Sequence, residues 1–329
     1  MLGGEFEKLL NKNIKIKSLY SKSYNEYSKF KKLLISLRIL LFKNNIYKKY
    51  IRNTYDVEVA FLEGPVTNIL SSKNKNIKKI AWIHSDISLI FGNNLKSKIK
   101  KIVNKKIYKK YQELVFVSNN NLKAFNKIYN LNIEKQVVHN YLNKENIFNL
   151  SKAFNVDIFD KNTINFVTVA RLVEAKAIDR LINVHYKLIK NGYNHNFFVV
   201  GDGPLKNNLS NKISELNLSK TFILLGQKEN PYPYISNSDY FCLFSYYEGF
   251  PMVLLEAKTL NKFILITDNS SKEALENYEN KKIFENNENG IYTGLKKIIE
   301  NNKSIKVNDI ASDNENIEII NKIKNLLGD

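Results

Sequence analysis

The chain has 329 residues, which is enough for two domains of roughly 150 residues each. Apolar residues make up 43% of it, so a buried core is possible and a largely disordered chain is excluded. The net charge is +19 and is unevenly distributed, because residues 1–160 contain 30 Lys and Arg against 12 Asp and Glu, whereas residues 161–329 contain 21 against 20.

In chain order, the N-terminal half shows short apolar runs separated by lysine-rich helical stretches. These runs predict strands at residues 57–62, 79–83, 114–117 and 135–138. Periodicity then lapses between residues 140 and 165, which indicates a hinge. We therefore predict an N-terminal, acceptor-side domain over residues 1–150 and a C-terminal, nucleotide-sugar-binding domain over residues 151–329.

The C-terminal half alternates more cleanly between strand and helix. Strands are predicted at residues 164–170, 196–200, 221–225, 240–244 and 263–267, with helices over 178–189, 205–216 and 250–260. Strands that are apolar throughout, with helices between them, indicate a parallel sheet covered on both faces. The predicted fold is α/β, with two doubly wound, Rossmann-like domains facing each other across a cleft. The last segment, residues 317–327, has helical spacing and is a candidate to pack across to the first domain.

The basic N-terminal half is expected to meet a polyanion, either an anionic lipid surface or a nucleic acid. Lysine drift on solvated faces is the alternative. The most apolar stretch, residues 33–42, contains Arg38 and is shorter than the ~20 residues that span a bilayer. The single Cys242 excludes an internal disulfide and, with no signal-peptide pattern at the start, favours the cytoplasm.

Ligands bind open parallel sheets at the carboxyl ends of the strands, so the residues after each strand are the candidates for a site. In the C-terminal half these are Arg171, the turn at residues 201–204, Gly226 and residues 245–251. Each is weak evidence alone, because a Gly-Asp-Gly-Pro turn is ordinary loop chemistry and a strand-end arginine is usually a surface charge.

Two spacings make the set specific. The run ARLVEAK places Arg171 and Lys176 before a helix, where two cations and backbone N–H groups can face a diphosphate. The run EGFPMVLLE places Glu248 and Glu256 eight residues apart. Eight residues of helix rise about 12 Å, beyond the roughly 5–9.5 Å between the paired carboxylates of a glycosidase. The two acids are expected to contact different parts of one extended ligand, such as a sugar diphosphate attached to a ribose.

At these residues the chain resembles the retaining glycosyltransferases of family 4, which share the two-domain GT-B fold and a motif of two glutamates separated by seven residues. The resemblance runs over residues 56–274, and its most specific stretches are VARLVEAKAIDRLI, FFVVGDGP and ILLGQKENPYPYISNSDYFCLFSYYEGFPMVLLEA. It implies that Arg171 and Lys176 bind the diphosphate of a UDP- or GDP-linked sugar. It also implies that Glu256 binds the ribose and that Glu248 approaches the transferred sugar.

The resemblance also completes the candidate site. The further donor-binding candidates are strand-end glycines and the residues at a helix start, whose backbone amides add to the anion site: Gly201, Gly203, Gly226, Gly249, Phe250, Pro251, Met252 and Val253. His84 follows a predicted strand in AWIHSD. A lone histidine is usually structural, but related transferases carry one here that faces the donor sugar, so His84 and Glu248 are the catalytic candidates. His139, at the hinge, is interpreted as structural.

Two cations and a helix N-terminus can neutralise a leaving diphosphate without a metal, and the sequence shows no metal-ligand cluster of Asp or His. We therefore expect a metal-independent transfer with no cofactor beyond the nucleotide sugar. The resemblance implies retention of anomeric configuration, and no dedicated general base can be named. The expected acceptor is lipid-linked or a saccharide, in the synthesis of a cell-surface polysaccharide such as capsule or of a glycolipid such as lipopolysaccharide. An enzyme peripheral on the inner face of the cytoplasmic membrane would account for the basic half.

Family members begin with a strand, a Gly-rich loop and a helix ahead of the segment that matches residues 2–20 here. The sequence therefore predicts either a misassigned start or a truncated first domain that lacks this unit, whose loss would expose two strand edges. Two other functions stay open: an inactive, truncated relative that only binds nucleotide, and a basic nucleic-acid-binding protein. No aromatic RNA motif, zinc spacing or helix-turn-helix signature supports the latter, so no nucleic-acid partner is expected.

Overall fold

The computed structural model describes residues 10–20, 26–51, 55–72, 77–87, 92, 94–301 and 315–328. The chain divides into two compact units, Met1–Val138 and His139–Asp329. This boundary comes before the predicted one at residue 150. The reason is that the helix Lys144–Ser151 packs within the second unit, where the side-chain amide of Asn230 donates to the carbonyl of Leu150 at 2.8 Å.

In the part of the first unit that the structure describes, four parallel strands lie in the order β1-β2-β3-β4. Its described elements are α1 (Lys29–Leu41), α2 (Lys43–Tyr50), β1 (Val57–Ala60), α3 (Pro65–Leu70), β2 (Lys78–Ile83), α4 (Leu95–Tyr108), β3 (Glu113–Phe116), α5 (Asn119–Tyr129) and β4 (Glu134–Val137). Leu114 and Phe116 of β3 pack with Phe125 of α5 in the main core of this unit. Ser118 caps α5 by accepting the N–H of Asn121 at 3.1 Å, as polar residues at helix N-termini do.

Among the described residues of the second unit, six parallel strands lie in the order β10-β9-β8-β5-β6-β7. Its described elements are α6 (Lys144–Ser151), β5 (Ile164–Val169), α7 (Ile178–Lys190), β6 (His195–Val200), α8 (Lys206–Glu215), β7 (Phe222–Gly226), α9 (Tyr232–Asn237), β8 (Tyr240–Leu243), α10 (Met252–Thr259), β9 (Phe263–Thr267), β10 (Lys281–Phe284), α11 (Glu288–Asn301) and α12 (Glu315–Leu327). The predicted α/β architecture with two parallel sheets is confirmed.

The strand order of the second sheet reverses between β5 and β8. Strands β5, β6 and β7 extend the sheet to one side, and β8, β9 and β10 extend it to the other. β5 is apolar because it is central and buried, with Phe166 and Val167 at 0% exposure. In open α/β sheets the crevice at the carboxyl ends of the strands beside such a reversal is where ligands bind.

Helix α12 packs on the second unit. Its Glu315 lies 3.2 Å from Lys258 of α10, and Asn316 donates to the carbonyl of Leu142 at 2.7 Å. The sequence placed Leu142 in the first domain, whereas the structure places it in the second unit. The packing of the last segment on the first domain stays a prediction. Among the described residues, no helix is long and apolar enough to cross a membrane.

Candidate functional site

The loop after β5 holds the two predicted cations. Arg171 follows the strand with an exposed side chain, and Lys176 ends a short 3-10 turn, Glu174–Lys176. Ala177 then adopts a left-handed conformation with φ +52°, and α7 begins at Ile178. A left-handed residue other than Gly or Asn costs on the order of 1–2 kcal/mol. The sequence therefore tolerates backbone strain next to Lys176.

Two glycines after β6 allow its loop to touch the loop after β5. A Cβ at Gly201 would lie 2.0 Å from the carbonyl oxygen of Ala170, and one at Gly203 would lie 2.5 Å from that of Leu172. The N–H of Leu172 in turn donates to the carbonyl of Asp202 at 3.0 Å. Only glycine fits at either position, because the two backbones are in direct contact.

Gly226 connects the end of β7 to the loop after β6. It has φ +72°, which favours glycine, and its carbonyl accepts the N–H of Gly201 at 2.8 Å. These contacts give Gly201, Gly203 and Gly226 a backbone role in holding three strand ends together.

Glu248 is buried and firmly held. Its two carboxylate oxygens accept from Nζ of Lys176 at 2.6 and 2.7 Å, and one of them also accepts from Oγ of Ser245 at 2.5 Å. The hydroxyl of Ser270 donates to the main-chain carbonyl of Glu248. Charge-assisted hydrogen bonds of this kind are among the stronger ones in proteins. They join Lys176, which is predicted to bind the diphosphate, to Glu248, which is predicted to contact the sugar.

Helix α10 begins at Met252 after Pro251, and no described side chain caps its N-terminus. Leu254 donates its N–H to the carbonyl of Pro251 at 3.1 Å. The N–H groups of Met252 and Val253 therefore stand at the positive end of the helix dipole, which attracts anions.

A cavity of about 520 Å³ opens at the strand ends beside the sheet reversal. Six predicted donor-binding residues line it: Arg171, Lys176, Gly201, Pro251, Met252 and Val253. Its volume falls within the ~300–1,000 Å³ of ligand sites. Arg171, Lys176 and Lys228 on its wall, together with the start of α10, suit a polyanionic ligand. The other predicted residues of the second unit lie outside its lining: Gly203, Gly226, Glu248, Gly249, Phe250 and Glu256.

Glu256 lies within α10, and burial raises the pKa of its carboxyl to about 6. No ion pair is found for it among the described residues. Because α10 begins at Met252, Glu248 precedes the helix, and the helical rise of about 12 Å assumed between the two glutamates is wrong. The glutamates nevertheless differ in surroundings, since Glu248 is paired with a lysine and Glu256 is desolvated.

Phe250 is buried just before α10. Its ring stacks on His139 with centroids 4.9 Å apart and planes 18° apart, and Nε2 of His139 lies 3.9 Å from a carboxylate oxygen of Glu273. These are packing contacts that fix the entry to the helix. Gly249 lies between Phe250 and the ion-paired Glu248.

His84 lies in the first unit, directly after β2. The carboxylate of Glu63 accepts the backbone N–H groups of His84 and Ser85 at 2.8 and 2.7 Å. The imidazole packs against Phe61, with centroids 4.6 Å apart, and burial lowers its pKa. Its Nε2 is buried and has no hydrogen-bond partner in the part of the chain that the structure describes. A neutral imidazole held in a fixed turn could serve as an acceptor for a ligand hydroxyl.

Several residues of the site were missed by sequence reasoning. Ser245 lies in the strand-end stretch 245–251 that the sequence indicated, but its hydrogen bond to Glu248 was not predicted. Ser270 follows β9 without any motif, and Gln227 and Lys228 follow β7 on the cavity wall. Glu63 precedes a helix that the sequence analysis did not assign.

A family model described as glycosyl transferases group 1 matches residues 151–315, half of the chain. The N-acetylgalactosamine-N,N'-diacetylbacillosaminyl-diphospho-undecaprenol 4-alpha-N-acetylgalactosaminyltransferase of Campylobacter jejuni is 30% identical over 265 residues, which cover 78% of this chain and 71% of that protein. An uncharacterised glycosyltransferase of Methanocaldococcus jannaschii is 28% identical over 65% of this chain, and the chain spans about half of its length, 53%.

The fold is also similar to solved structures. HepE of Anabaena, crystallised in complex with UDP and glucose, matches with a TM-score of 0.66 at 15% identity, over 92% of this chain and 83% of that one. At this identity the likeness establishes the fold alone, which is the GT-B architecture of two α/β units.

Proposed function

The chain belongs to the group 1 glycosyl transferases, and we propose that it moves a sugar from a UDP- or GDP-linked donor to a lipid-linked or saccharide acceptor. Its role would be in the synthesis of a cell-surface polysaccharide or glycolipid. The observation that carries the proposal is the cavity beside the sheet reversal, where Arg171, Lys176 and the start of α10 meet. The second unit would bind the donor and the first unit the acceptor.

The proposed chemistry uses the residues around that cavity. Arg171, Lys176 and the amides of Met252 and Val253 would neutralise the diphosphate as it leaves, so that no metal is required. Glu248 would contact the transferred sugar and Glu256 the ribose. His84, after β2, would approach the donor sugar, and the transfer would retain the anomeric configuration, as in the resembling family.

A peripheral position on the inner face of the cytoplasmic membrane is part of the proposal, and the surface of the first unit supports it. Apolar side chains recur on the exposed side of α1 and at its end: Phe30, Leu33, Leu34, Leu37, Leu40, Leu41 and Phe42. Leu95, Ile99 and Ile102 do the same on α4. Neither helix contains an acidic residue, and both pack on α3. Exposed apolar stripes flanked by lysine are typical of helices that lie on membranes.

The test is a screen for donor hydrolysis over UDP- and GDP-linked sugars, with and without EDTA. Sugars related to those named for the similar proteins, N-acetylgalactosamine and glucose, head the screen. We expect turnover of one donor that survives EDTA, a large loss in Arg171→Ala, and wild-type rates in Lys272→Ala, which removes an exposed lysine outside the cavity. Tight nucleotide binding without any turnover would instead favour the nucleotide-binding, inactive relative. Turnover abolished by EDTA would overturn metal independence.

A further inference from the structure

A buried arginine near the start of α7 has none of the roles given above. Arg180 is 5% exposed, and desolvation lowers the pKa of its guanidinium. Its hydrogen bonds go to carbonyl and amide oxygens rather than to a carboxylate. Within the described ranges no carboxylate forms an ion pair with it, and a buried charge of this kind is costly unless it is well hydrogen-bonded, so its position needs an explanation beyond packing.

The guanidinium of Arg180 joins three segments of the second unit. Nη2 donates to the carbonyl of Phe244 at 2.5 Å, just after β8, and to Oδ1 of Asn286 at 2.9 Å. Nη1 donates to the main-chain carbonyl of Asn286 at 3.2 Å. The guanidinium carbon lies 4.3 Å from the ring centroid of Tyr246, close enough for a cation–π contact. Arg180 therefore connects α7 to the loop after β8 and to the loop between β10 and α11.

Tyr246 is held from two further sides. Its N–H donates to the carbonyl of Ala175 at 2.9 Å, and its carbonyl accepts from Nδ2 of Asn286 at 2.9 Å. Because Oδ1 of Asn286 accepts from Arg180 while Nδ2 donates to Tyr246, the orientation of this amide is set by the guanidinium. The backbone and the ring of Tyr246 thus depend on Arg180 directly or through Asn286.

These contacts lie beside the two groups that the proposed reaction needs. Ala175 immediately precedes Lys176 in the 3-10 turn, and Tyr246 is two residues before Glu248. We infer that Arg180 is a positioning residue: it fixes the turn that carries Lys176 relative to the loop that carries Glu248, without touching the ligand itself. The inference rests on the proposed function, because the contact expected to depend on Arg180 is the one between the carboxylate of Glu248 and the transferred sugar. Misplacement by about 1 Å can cost ~100-fold in rate.

The test compares Arg180→Met with Lys187→Met, which places the same substitution on the outside of the same helix. Arg180→Met should lower kcat for donor turnover by about 10- to 100-fold. KM and the affinity for nucleoside diphosphate should stay within about threefold, because Lys176, Arg171 and the start of α10 are all retained and the group expected to move is the loop that carries Glu248. Lys187→Met should match the wild type. Guanidinium ion at millimolar concentration should restore part of the kcat of Arg180→Ala, whereas sodium chloride at equal ionic strength should not.

A wild-type kcat in Arg180→Met overturns the inference, and so does a loss of nucleotide affinity in parallel with kcat, which would indicate a general structural role. If that variant does not fold, Asn286→Ala leaves the guanidinium in place and removes its side-chain link to Tyr246. An unchanged kcat in Asn286→Ala also overturns the inference. Should the wild type turn over no donor, the proposed function fails separately. Hydrogen exchange at residues 244–248 then decides, since Arg180→Met should raise it at least tenfold there and leave β6 unchanged, and equal exchange overturns the inference.

Discussion

Lys176 and Arg171 carry the same charge in different surroundings. Lys176 pairs with the buried carboxylate of Glu248, whereas Arg171 is exposed and has no ion pair among the described residues. Replacing either by Ala should weaken nucleoside diphosphate binding by about 1.5–3 kcal/mol, the range for hydrogen bonds to charged groups. Calorimetry measures this directly. Unchanged affinity in one variant would remove that residue from the donor site.

The ion pair between Lys176 and Glu248 should also stabilise the folded protein. Lys176→Ala leaves the carboxylate of Glu248 buried without its cation, so the free energy of unfolding should fall by about 1–3 kcal/mol. Arg171→Ala should leave it nearly unchanged. Adding Glu248→Gln to Lys176→Ala should recover part of the loss, because the unpaired charge is then gone. Equal unfolding midpoints for the two single variants in denaturant would contradict this account.

The buried carboxyl of Glu256 is expected to lower the free energy of unfolding at neutral pH and to contribute to nucleotide binding. Its pKa is raised by burial to about 6, so ionisation favours the unfolded chain. Its stabilising contribution is complete below the ordinary value of 4.5 and is lost as the pH rises through 6. The loss amounts to about 2 kcal/mol at pH 7.5. Glu256→Gln should therefore raise unfolding stability at pH 7.5, with a smaller gain at pH 5, and weaken nucleotide binding. Glu248→Gln should leave nucleotide affinity nearly intact and reduce transfer. The reverse pattern in calorimetry would exchange their roles.

At the level of elements, α7 and β6 are joined by a buried chain of neutral rings. Nδ1 of His185 lies 2.8 Å from Nε2 of His195, whose Nδ1 lies 2.8 Å from the carbonyl of Tyr193. Nε2 of His185 lies 2.9 Å from Oγ1 of Thr221. One set of tautomers satisfies every group: Thr221 donates to His185, His185 to His195, and His195 to the carbonyl. A further proton on either ring would place a charge in this buried site, which is costly.

Acid should therefore weaken the second unit. Burial first, and then the neighbouring His195, lower the pKa of His185 to about 2, and burial lowers that of His195 to about 4, against 6.5 ordinarily. The unfolded chain takes up these protons first, so the stability is complete above pH 6.5 and is lost as the pH falls toward 4. The slope is up to about 1.4 kcal/mol per pH unit for each histidine. Denaturant unfolding at pH 7.5, 6 and 5 checks this, and a double His185→Gln, His195→Gln variant should flatten the dependence. An equal slope in the variant would contradict it.

The strands that the sequence placed most accurately are buried and therefore apolar throughout. β9 was placed at its observed bounds, and β5 differs from its prediction by one residue at its end. β10 was missed because two of its four residues, Lys282 and Ile283, are exposed at the edge of the sheet. The cavity residues follow from the strand-end rule. The partners of Glu248 do not, because Lys176 lies 72 positions away and only the folded sheet brings them together.

At the scale of the whole molecule, the two units differ in their net charge. The second unit has nearly balanced charges and a cavity with clustered cations, whereas the basic residues dominate the first. A local cluster of cations suits one small polyanion, and a broad basic surface with exposed apolar stripes suits an extended anionic one. Both features are consistent with the proposed soluble donor and with the proposed acceptor on an anionic surface.

The basic residues and the apolar stripes of the first unit should contribute separately to the binding of an anionic membrane. The full chain should sediment with anionic vesicles and not with neutral ones. A dense run of lysines around α4 should contribute up to about 1 kcal/mol per charge, and it comprises Lys100, Lys101, Lys105, Lys106, Lys109 and Lys110. Replacing these lysines by Gln should abolish most binding at low salt, because the attraction is electrostatic and is screened as salt rises.

The apolar stripe of α1 should account for a second, salt-resistant share of the binding. Leu33 and Leu37 are exposed at 57% and 42%, so Leu33→Ser and Leu37→Ser should fold normally. They should lose the binding that remains at high salt while keeping the electrostatic share, because burying apolar area does not depend on screening. The controls for the lysine replacement around α4 are Lys190→Gln and Lys297→Gln in the second unit, and they should bind vesicles as the wild type does. Equal binding to neutral and anionic vesicles would contradict the proposed membrane association. Tight, sequence-selective binding of DNA or RNA at physiological salt would also contradict it and would identify a nucleic acid as the polyanion.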